Sequence, residues 1–294
     1  VIPVFNEEES LSAFYDELTK EIQKFDKNYE IIFVDDGSTD RSLEILKSLR
    51  VKRLTDSRIR VFSFRKNQGK SEALSLGFRE AEGDYIVTLD ADLQDKPSEV
   101  QKLVEKLKKE NMDLVCGWRK NRKDPLHKVV SSRFFNFLAS LFWGLRLHDY
   151  NCGLKAYTKA AAKSLRLYGG MHRFIPLLIH KQGFRVCEMP VAHDERKYGK
   201  SKYGFSKLWN DLPDIFTMLF LSRYSKRPLH LFGAVSGVLI LTGIIILSYL
   251  SYLRFLGETI GRRPLLFLGM LLVISGLQMF FTGFLADLIR HTAS

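Results

Sequence analysis

Along the first 120 positions the chain switches repeatedly between two hydrophobic periods. Short runs at 1–5, 30–34, 60–64, 85–89 and 113–116 are aliphatic, aromatic or β-branched, with few polar interruptions, and read as strands. Runs of this kind suit central parallel strands covered on both faces. Between them apolar residues recur at helical spacing. Leu11, Phe14, Leu18, Ile22 and Phe25 mark one helix, with Ser10 placed to cap it. A second helix is predicted over 41–49, capped by Thr39 or Asp40, and another over 97–110. The helix between them carries a stripe of small residues, Ala73, Gly77 and Ala81, which allows close packing. Strand–helix alternation of this kind predicts an α/β fold with a mostly parallel, Rossmann-like sheet and helices on both faces.

The pattern changes towards the end. Residues 229–250 and 264–286 contain no Lys, Arg, Asp or Glu. Each is long enough to cross about 30 Å of hydrocarbon at about 1.5 Å per residue. Two crossings return the chain to one side of the bilayer. Arg223, Lys226 and Arg227 before the first span favour a cytoplasmic side, whereas Arg254, Arg262 and Arg263 in the connecting loop argue the other way. Two further stripes sit upstream: Val130, Phe134, Phe137, Leu138, Leu141, Phe142 and Leu145, then Phe205, Leu208, Trp209, Leu212, Ile215, Phe216, Leu219 and Phe220. Core packing would account for either. The second leads into the first span, which favours helices lying in the headgroup layer. The predicted layout is an α/β domain over 1–204 with one interfacial helix at about 129–147, a second over 205–226, and two membrane helices. Gly233 and Gly237 form a G-x-x-x-G, a weak motif for helix association that is compatible with a homo-oligomer.

Charge and composition narrow the partners. The 294 residues carry a formal net charge of +12, which points to anionic partners such as phosphates or lipid. The apolar placement of the aromatics disfavours a nucleic-acid surface. Cys116, Cys152 and Cys187 form no C-x-x-C, which fits a reducing compartment. The chain begins at Val1 inside an apparent strand and without Met, so its natural start is expected upstream.

The run DYIVTLDADLQD ends a strand in Asp90, Asp92 and Asp95, with Gln94 among them. Such a group is costly unless compensated. Mg2+ or Mn2+ would compensate it, since both take oxygen ligands and combine few carboxylates with substrate phosphates. Taken alone, so short a motif reads more readily as a solvated acidic turn capping the next helix. The other predicted strand ends change that balance: Asn6 and Glu7, Asp35 and Asp36, Asn67 and Lys70, Trp118 and Arg119. In open α/β sheets ligands bind at the carboxyl ends of strands, so these groups are placed to converge. Neither G-x-G-x-x-G after the first strand nor a P-loop is present.

PVFNEEES, VDDGSTD, NQGKSEAL and LDADLQD, in this order, resemble family 2 glycosyltransferases of the GT-A fold. GWRKNRKDP, DYNCGLKAY, HRFIP and RKYGKSKYG resemble the polyprenyl-phosphate branch of that family. The resemblance covers about residues 1–210. It implies a metal-dependent, inverting transfer of a hexose from a nucleotide-diphosphate sugar, UDP-glucose or GDP-mannose, to a polyprenyl phosphate at the inner or plasma membrane, with the catalytic domain cytoplasmic. It assigns donor binding to Pro3, Phe5, Glu7, Val34, Asp36, Lys70, Asp90, Ala91, Asp92 and Lys202. Asp92 and Gln94 are the implied metal ligands. Arg119, Arg133, Arg196, Lys200 and Ser201 are the implied acceptor-phosphate contacts. Asp149 matches a position that acts either as a base or as an orienting group. His172 and Arg173 would touch phosphate or be structural.

The residues agree with that chemistry. Two anions must meet at one sugar carbon, and fixed positive charge has to offset their repulsion. Residues 116–133 supply Arg119, Lys120, Arg122, Lys123, Lys128 and Arg133 against Asp124 alone. A phosphate monoester is already ionised at pH 7 and attacks without a strong base. Two alternatives remain: a family 2 transferase that is processive or acts on a hydroxyl acceptor, the processive form being disfavoured because Q-x-x-R-W is absent, and a non-catalytic membrane scaffold.

Overall fold

The computed structural model describes residues 1–25, 28–52, 58–120, 144–194, 228–260 and 264–293. The chain divides into two compact units, Val1–Asp214 and Ile215–Ser294. Most of both expected interfacial helices, and the segment RKYGKSKYG, lie outside the described residues.

Among the described residues, the strands and helices expected over 1–116 form, with ends shifted by at most three residues. The elements are β1 (Ile2–Val4), α1 (Leu11–Phe25), β2 (Ile31–Asp35), α2 (Ser42–Lys52), β3 (Ile59–Ser63), α3 (Lys70–Glu80), β4 (Tyr85–Thr88), α4 (Glu99–Lys109) and β5 (Leu114–Trp118). Two strands are additional: β6 (Lys155–Thr158) and β7 (Val186–Pro190). Between them lie the short helix α5 (Lys159–Lys163), a 3-10 turn (Met171–Phe174) and α6 (Ile175–Lys181). The apolar stripe of α1 is buried at Leu11, Phe14 and Leu18, against a fully buried β2.

Strands β1, β2 and β3 pair in parallel, and a second sheet runs β4-β6-β5-β7. Val1 joins the two, donating to the Val87 carbonyl at 2.7 Å and accepting from Leu89 N at 3.4 Å, a parallel pattern. Strand β6 runs antiparallel to both its neighbours, while β5 and β7 are parallel. This one reversed strand positions the site. Its amino end, not its carboxyl end, lies beside the ends of β4 and β5, so the residues just before it, Asp149 to Leu154, arrive there too.

Asp40 caps α2 as expected, its Oδ1 accepting from Ser42 N at 2.9 Å. Ser10 differs: its hydroxyl turns back to Glu7, donating to the Glu7 carbonyl and to Oε2, each at 3.2 Å. The small stripe of α3 is buried, and Gly77 faces Val1 so closely that a Cβ there would lie 2.2 Å from Val1 Cγ1.

The second unit is a hairpin of α7 (Pro228–Phe255) and α8 (Pro264–Ala293). Both helices are long and apolar enough to cross a membrane, with mean hydropathy of 2.4 and 2.1. Their buried positions fall seven residues apart: Ser236, Gly243 and Leu250 on α7, Gly269, Gly276 and Gly283 on α8. A seven-residue repeat keeps one seam facing the partner helix. Close approach is made by these glycines and not by the G-x-x-x-G pair, since a Cβ at Gly233 or Gly237 would meet nothing within 4 Å.

At Gly243 a Cβ would lie 2.9 Å from the Gly269 carbonyl and 3.0 Å from Val273 N, both backbone atoms that cannot rotate away. Gly243→Leu is therefore expected to destabilise the hairpin by about 1–3 kcal/mol. Gly237→Leu is expected to leave it unchanged. Thermal unfolding of the two variants in one detergent compares them.

Candidate active site

The loops after β1 and β2 are laced together. Asn6 N donates to Ser38 Oγ at 3.0 Å, and Asn6 Oδ1 accepts from Thr39 N at 2.8 Å. Glu7 N donates to Ser42 Oγ at 2.9 Å, and Glu8 N to Asp40 Oδ2 at 3.2 Å. Asn6 adopts a left-handed φ of 52°, a conformation asparagine tolerates better than most residues. Asp36 carries the lacing to the loop after β3. Its carboxylate accepts from Gln68 N at 2.7 Å, Gly69 N at 3.0 Å and Asn67 Nδ2 at 3.0 Å. Burial nevertheless raises its pKa, outweighing these hydrogen bonds. Gly37 is needed here: its φ is 68°, and a Cβ would lie 2.4 Å from the Lys66 carbonyl carbon.

Lys70 opens α3 and reaches Asp90, Nζ to Oδ1, at 2.5 Å. A third of the Asp90 side chain is exposed. Burial alone would raise its pKa, but the charge and hydrogen bond of Lys70, and then the charge of Lys155, more than offset this and hold it low. Beside this pair, Ser71 Oγ meets His172 Nδ1 at 3.0 Å and accepts from His172 N at 2.9 Å. Burial and the Lys70 charge keep His172 neutral, its pKa well below the ordinary value.

Asp92, 8% exposed, accepts from Gln94 N at 3.2 Å. Between them Leu93 takes a left-handed φ of 60°, which costs a non-glycine residue about 1–2 kcal/mol. The Leu93 side chain packs against the core and offsets that strain. Gln94 Nε2 donates to the Asp194 carbonyl at 3.4 Å, which leaves its amide oxygen as an acceptor. Among the described residues no group of three His, Cys, Asp or Glu side chains forms a cation cage. One carboxylate and one amide oxygen fit a cation that draws its remaining ligands from phosphate and water, as Mg2+ and Mn2+ do.

At the end of β5, Asp149 grips Arg119 with both oxygens. Arg119 Nε donates to Oδ2 at 2.6 Å and Nη2 to Oδ1 at 3.0 Å. The two side chains are 2% and 13% exposed. Burial opposes the guanidinium charge, but Asp149 outweighs it and raises the Arg119 pKa. One residue back on each segment, Trp118 stacks on His148 with centroids 4.2 Å apart. Glu188 on β7 holds His148, accepting from its backbone N at 2.8 Å and contacting its ring Nδ1.

The family model of glycosyl transferase family 2 matches residues 1–166. The chain belongs to that family. The dodecaprenyl-phosphate galacturonate synthase of Rhizobium johnstonii is 37% identical over 99% of this chain and 87% of its own. The undecaprenyl-phosphate 4-deoxy-4-formamido-L-arabinose transferase of Proteus mirabilis is 34% identical over 98% of this chain and 87% of its own. Among solved structures, glucosyl-3-phosphoglycerate synthase of Mycobacterium tuberculosis, in complex with Mn2+ and UDP-glucose, shares the fold at a TM-score of 0.54. It is 23% identical over 75% of this chain and 77% of that one.

Within this family 2 chain, the expected site residues separate by position. Glu7, Asp36, Lys70, Asp90, Asp92, Gln94, Arg119 and Asp149 lie on the loops at one end of the sheet. Pro3, Val34 and Ala91 lie lower: Pro3 pairs with Val34 inside the sheet, and Val34 and Ala91 are buried at 0% and 4% exposure. Phe5 sits at the mouth of β1, partly buried. Arg133, Arg196, Lys200, Ser201 and Lys202 lie outside the described residues. For Asp149 the geometry favours the orienting role, because both its oxygens already serve Arg119. His172 is held by Ser71 through its backbone N and ring Nδ1. Residue-by-residue reading passed over Lys155. Its signal is a lone charge at the head of a short apolar run, LKAY.

Removing one partner of a buried ion pair strands the other, at about 3–5 kcal/mol. Asp149→Leu is accordingly expected to lower the stability of the first unit by that order. Arg119→Leu/Asp149→Leu together are expected to recover most of it in denaturant unfolding without restoring turnover.

His172 supplies a pH test. Below its ordinary pKa of about 6.5 the unfolded chain binds a proton that the folded chain does not. Stability is therefore full above that value and falls as pH drops below it, by at most about 1.4 kcal/mol per pH unit. His172→Gln is expected to flatten the decline in thermal midpoint between pH 7 and pH 5.

Proposed function

We propose that the chain transfers a sugar from a nucleoside-diphosphate sugar to a polyprenyl phosphate at a membrane surface. The observation that carries this reading is the joining of Lys70, Asp90, Asp92 and Gln94 at the end of β4. Relatives named for transfer to prenyl phosphates align along almost the whole chain, the two apolar helices included. In this reading α7 and α8 cross the bilayer of the inner or plasma membrane. The first unit and the chain's last residues then lie on one side, the cytoplasmic one.

The donor's base and ribose lie against the loops of Glu7 and Asp36, over the floor formed by Pro3 and Val34. Its sugar and diphosphate approach Lys70 and the Asp90–Asp92 loop. Mg2+ or Mn2+, held by Asp92 and Gln94, supplies positive charge to the departing diphosphate. The acceptor phosphate, already ionised, attacks the anomeric carbon in line and inverts it, so no strong base is required. Arg119 is held by Asp149 at the site margin, where a fixed guanidinium offsets repulsion between the two phosphate groups. Arg133, Arg196, Lys200 and Lys202 add further positive charge in the sequence, and Ser201 among them adds a hydroxyl donor.

The relatives' names carry galacturonate and 4-deoxy-4-formamido-L-arabinose, not glucose or mannose. All four sugars, as UDP or GDP derivatives, therefore belong in the first assay, with undecaprenyl phosphate as acceptor. The expected product is a labelled lipid whose formation is abolished by EDTA and reduced about 100-fold or more in Asp92→Asn. Label appearing on polysaccharide, with none on lipid, would sink the lipid-acceptor reading.

A further inference from the structure

Lys155 begins β6, is 4% exposed, and is the charged residue of that strand. Its register partners are Thr88 on β4 and Cys116 on β5, and directly opposed residues project to the same face of a sheet. Tyr157, two residues on, shares that face and meets Phe78 of α3 edge-on, with centroids 5.1 Å apart. The Lys155 ammonium is therefore enclosed under α3. A buried ammonium is expensive unless it is paired and hydrogen-bonded.

Two partners compensate it. The Cys152 carbonyl accepts a hydrogen bond from Nζ, and the Asp90 carboxylate lies against Gly153, the residue next to that carbonyl. The same charge is felt at His172, Cys116 and Cys152. Three successive carbonyls before β6 are each taken by a different donor. Lys155 Nζ takes Cys152, Thr88 Oγ1 takes Gly153 at 2.8 Å, and Gly117 N takes Leu154 at 2.9 Å. The turn so pinned lies on the acidic loop. A Cβ built on Gly153 would come within 2.6 Å of Asp90 Oδ2 and 2.9 Å of Asp95 Oδ2.

Asp90, Asp92 and Asp95 thus bring three negative charges to one loop. A divalent cation settles where they are least neutralised. Lys70 pairs directly with Asp90, Lys155 adds positive charge from the turn whose Gly153 abuts Asp90, and His193 stands 3.3 Å from Asp95. We propose that Lys155 is a positioning residue. Its ammonium balances Asp90 and pins the turn at Cys152 and Gly153, which directs the cation to Asp92 and Gln94. The balance also keeps the site open to a nucleoside diphosphate. This inference rests on the reading of Asp92 and Gln94 as the cation ligands.

The test is Mn2+ binding to the full chain in detergent, without nucleotide, followed by titration of UDP onto the Mn2+-loaded protein. Lys155→Gln keeps a donor near the Cys152 carbonyl and removes the charge. It is expected to bind Mn2+ about tenfold tighter and UDP more weakly. A purely structural role would lower the thermal midpoint without tightening Mn2+, so unchanged or weaker Mn2+ binding by a folded variant overturns the inference. If Lys155→Gln does not fold, Lys155→Gln/Asp90→Asn restores the balance of charge. That double variant must fold and bind Mn2+, and its failure also overturns the inference. Wild-type chain that binds no Mn2+ would instead remove the cation reading on which the inference stands.

Discussion

The carboxylate of Asp90 can remain charged at the end of β4 because an ammonium is held against it. Burial pushes its proton affinity up, and the Lys70 ion pair at 2.5 Å reverses that push. Lys70 reaches it because α3 starts at that residue, and α3 is fixed by the small stripe that lets it close onto Val1 and β1. The loop of Asp92 and Gln94, with its left-handed Leu93, is held by the core packing beneath it. The charge chemistry and the packing are thus one arrangement. Loosening α3 would also loosen the charge balance of the site.

The reversed strand β6 is the second constraint. An all-parallel sheet would place at the site only residues that follow strands. Inserting one antiparallel strand between β4 and β5 brings in the residues that precede it. Asp149, Gly153 and Lys155 enter by that route, and with them both the grip on Arg119 and the enclosed ammonium. The first unit gathers charged side chains at this end, whereas the second is a hairpin built on small residues with an apolar exterior. That division of labour suits a water-soluble donor and a lipid acceptor.

Local pattern determined much of this in advance. The strand runs, the period of α1, the cap at Asp40 and the two apolar spans each depend on residues close together in the chain, and each could be read directly. Convergence of the strand ends could be read as well, because α/β topology places carboxyl ends together whatever the residues are. Strands β6 and β7 were not legible. GLKAYT and RVCEMP are short and carry charge at positions where a strand signal needs apolar residues, and their strand state comes from neighbours distant in sequence.

Side-chain partnership was decided by tertiary structure alone. The sequence marked Arg119 and Asp149 as charged residues thirty positions apart, but only the antiparallel insertion makes them one ion pair. It marked His172 as either a phosphate contact or a structural residue, and the fold sets its Nδ1 against Ser71. It offered Gly233 and Gly237 as a helix contact, whereas the hairpin register selects Gly243, Gly269, Gly276 and Gly283. The sequence by itself determined which elements form and which chemistry gathers at one end of the sheet, because those depend on local period and general topology. Which charges neutralise one another depends on distances of a few ångströms between remote segments, and only the folded chain fixes those.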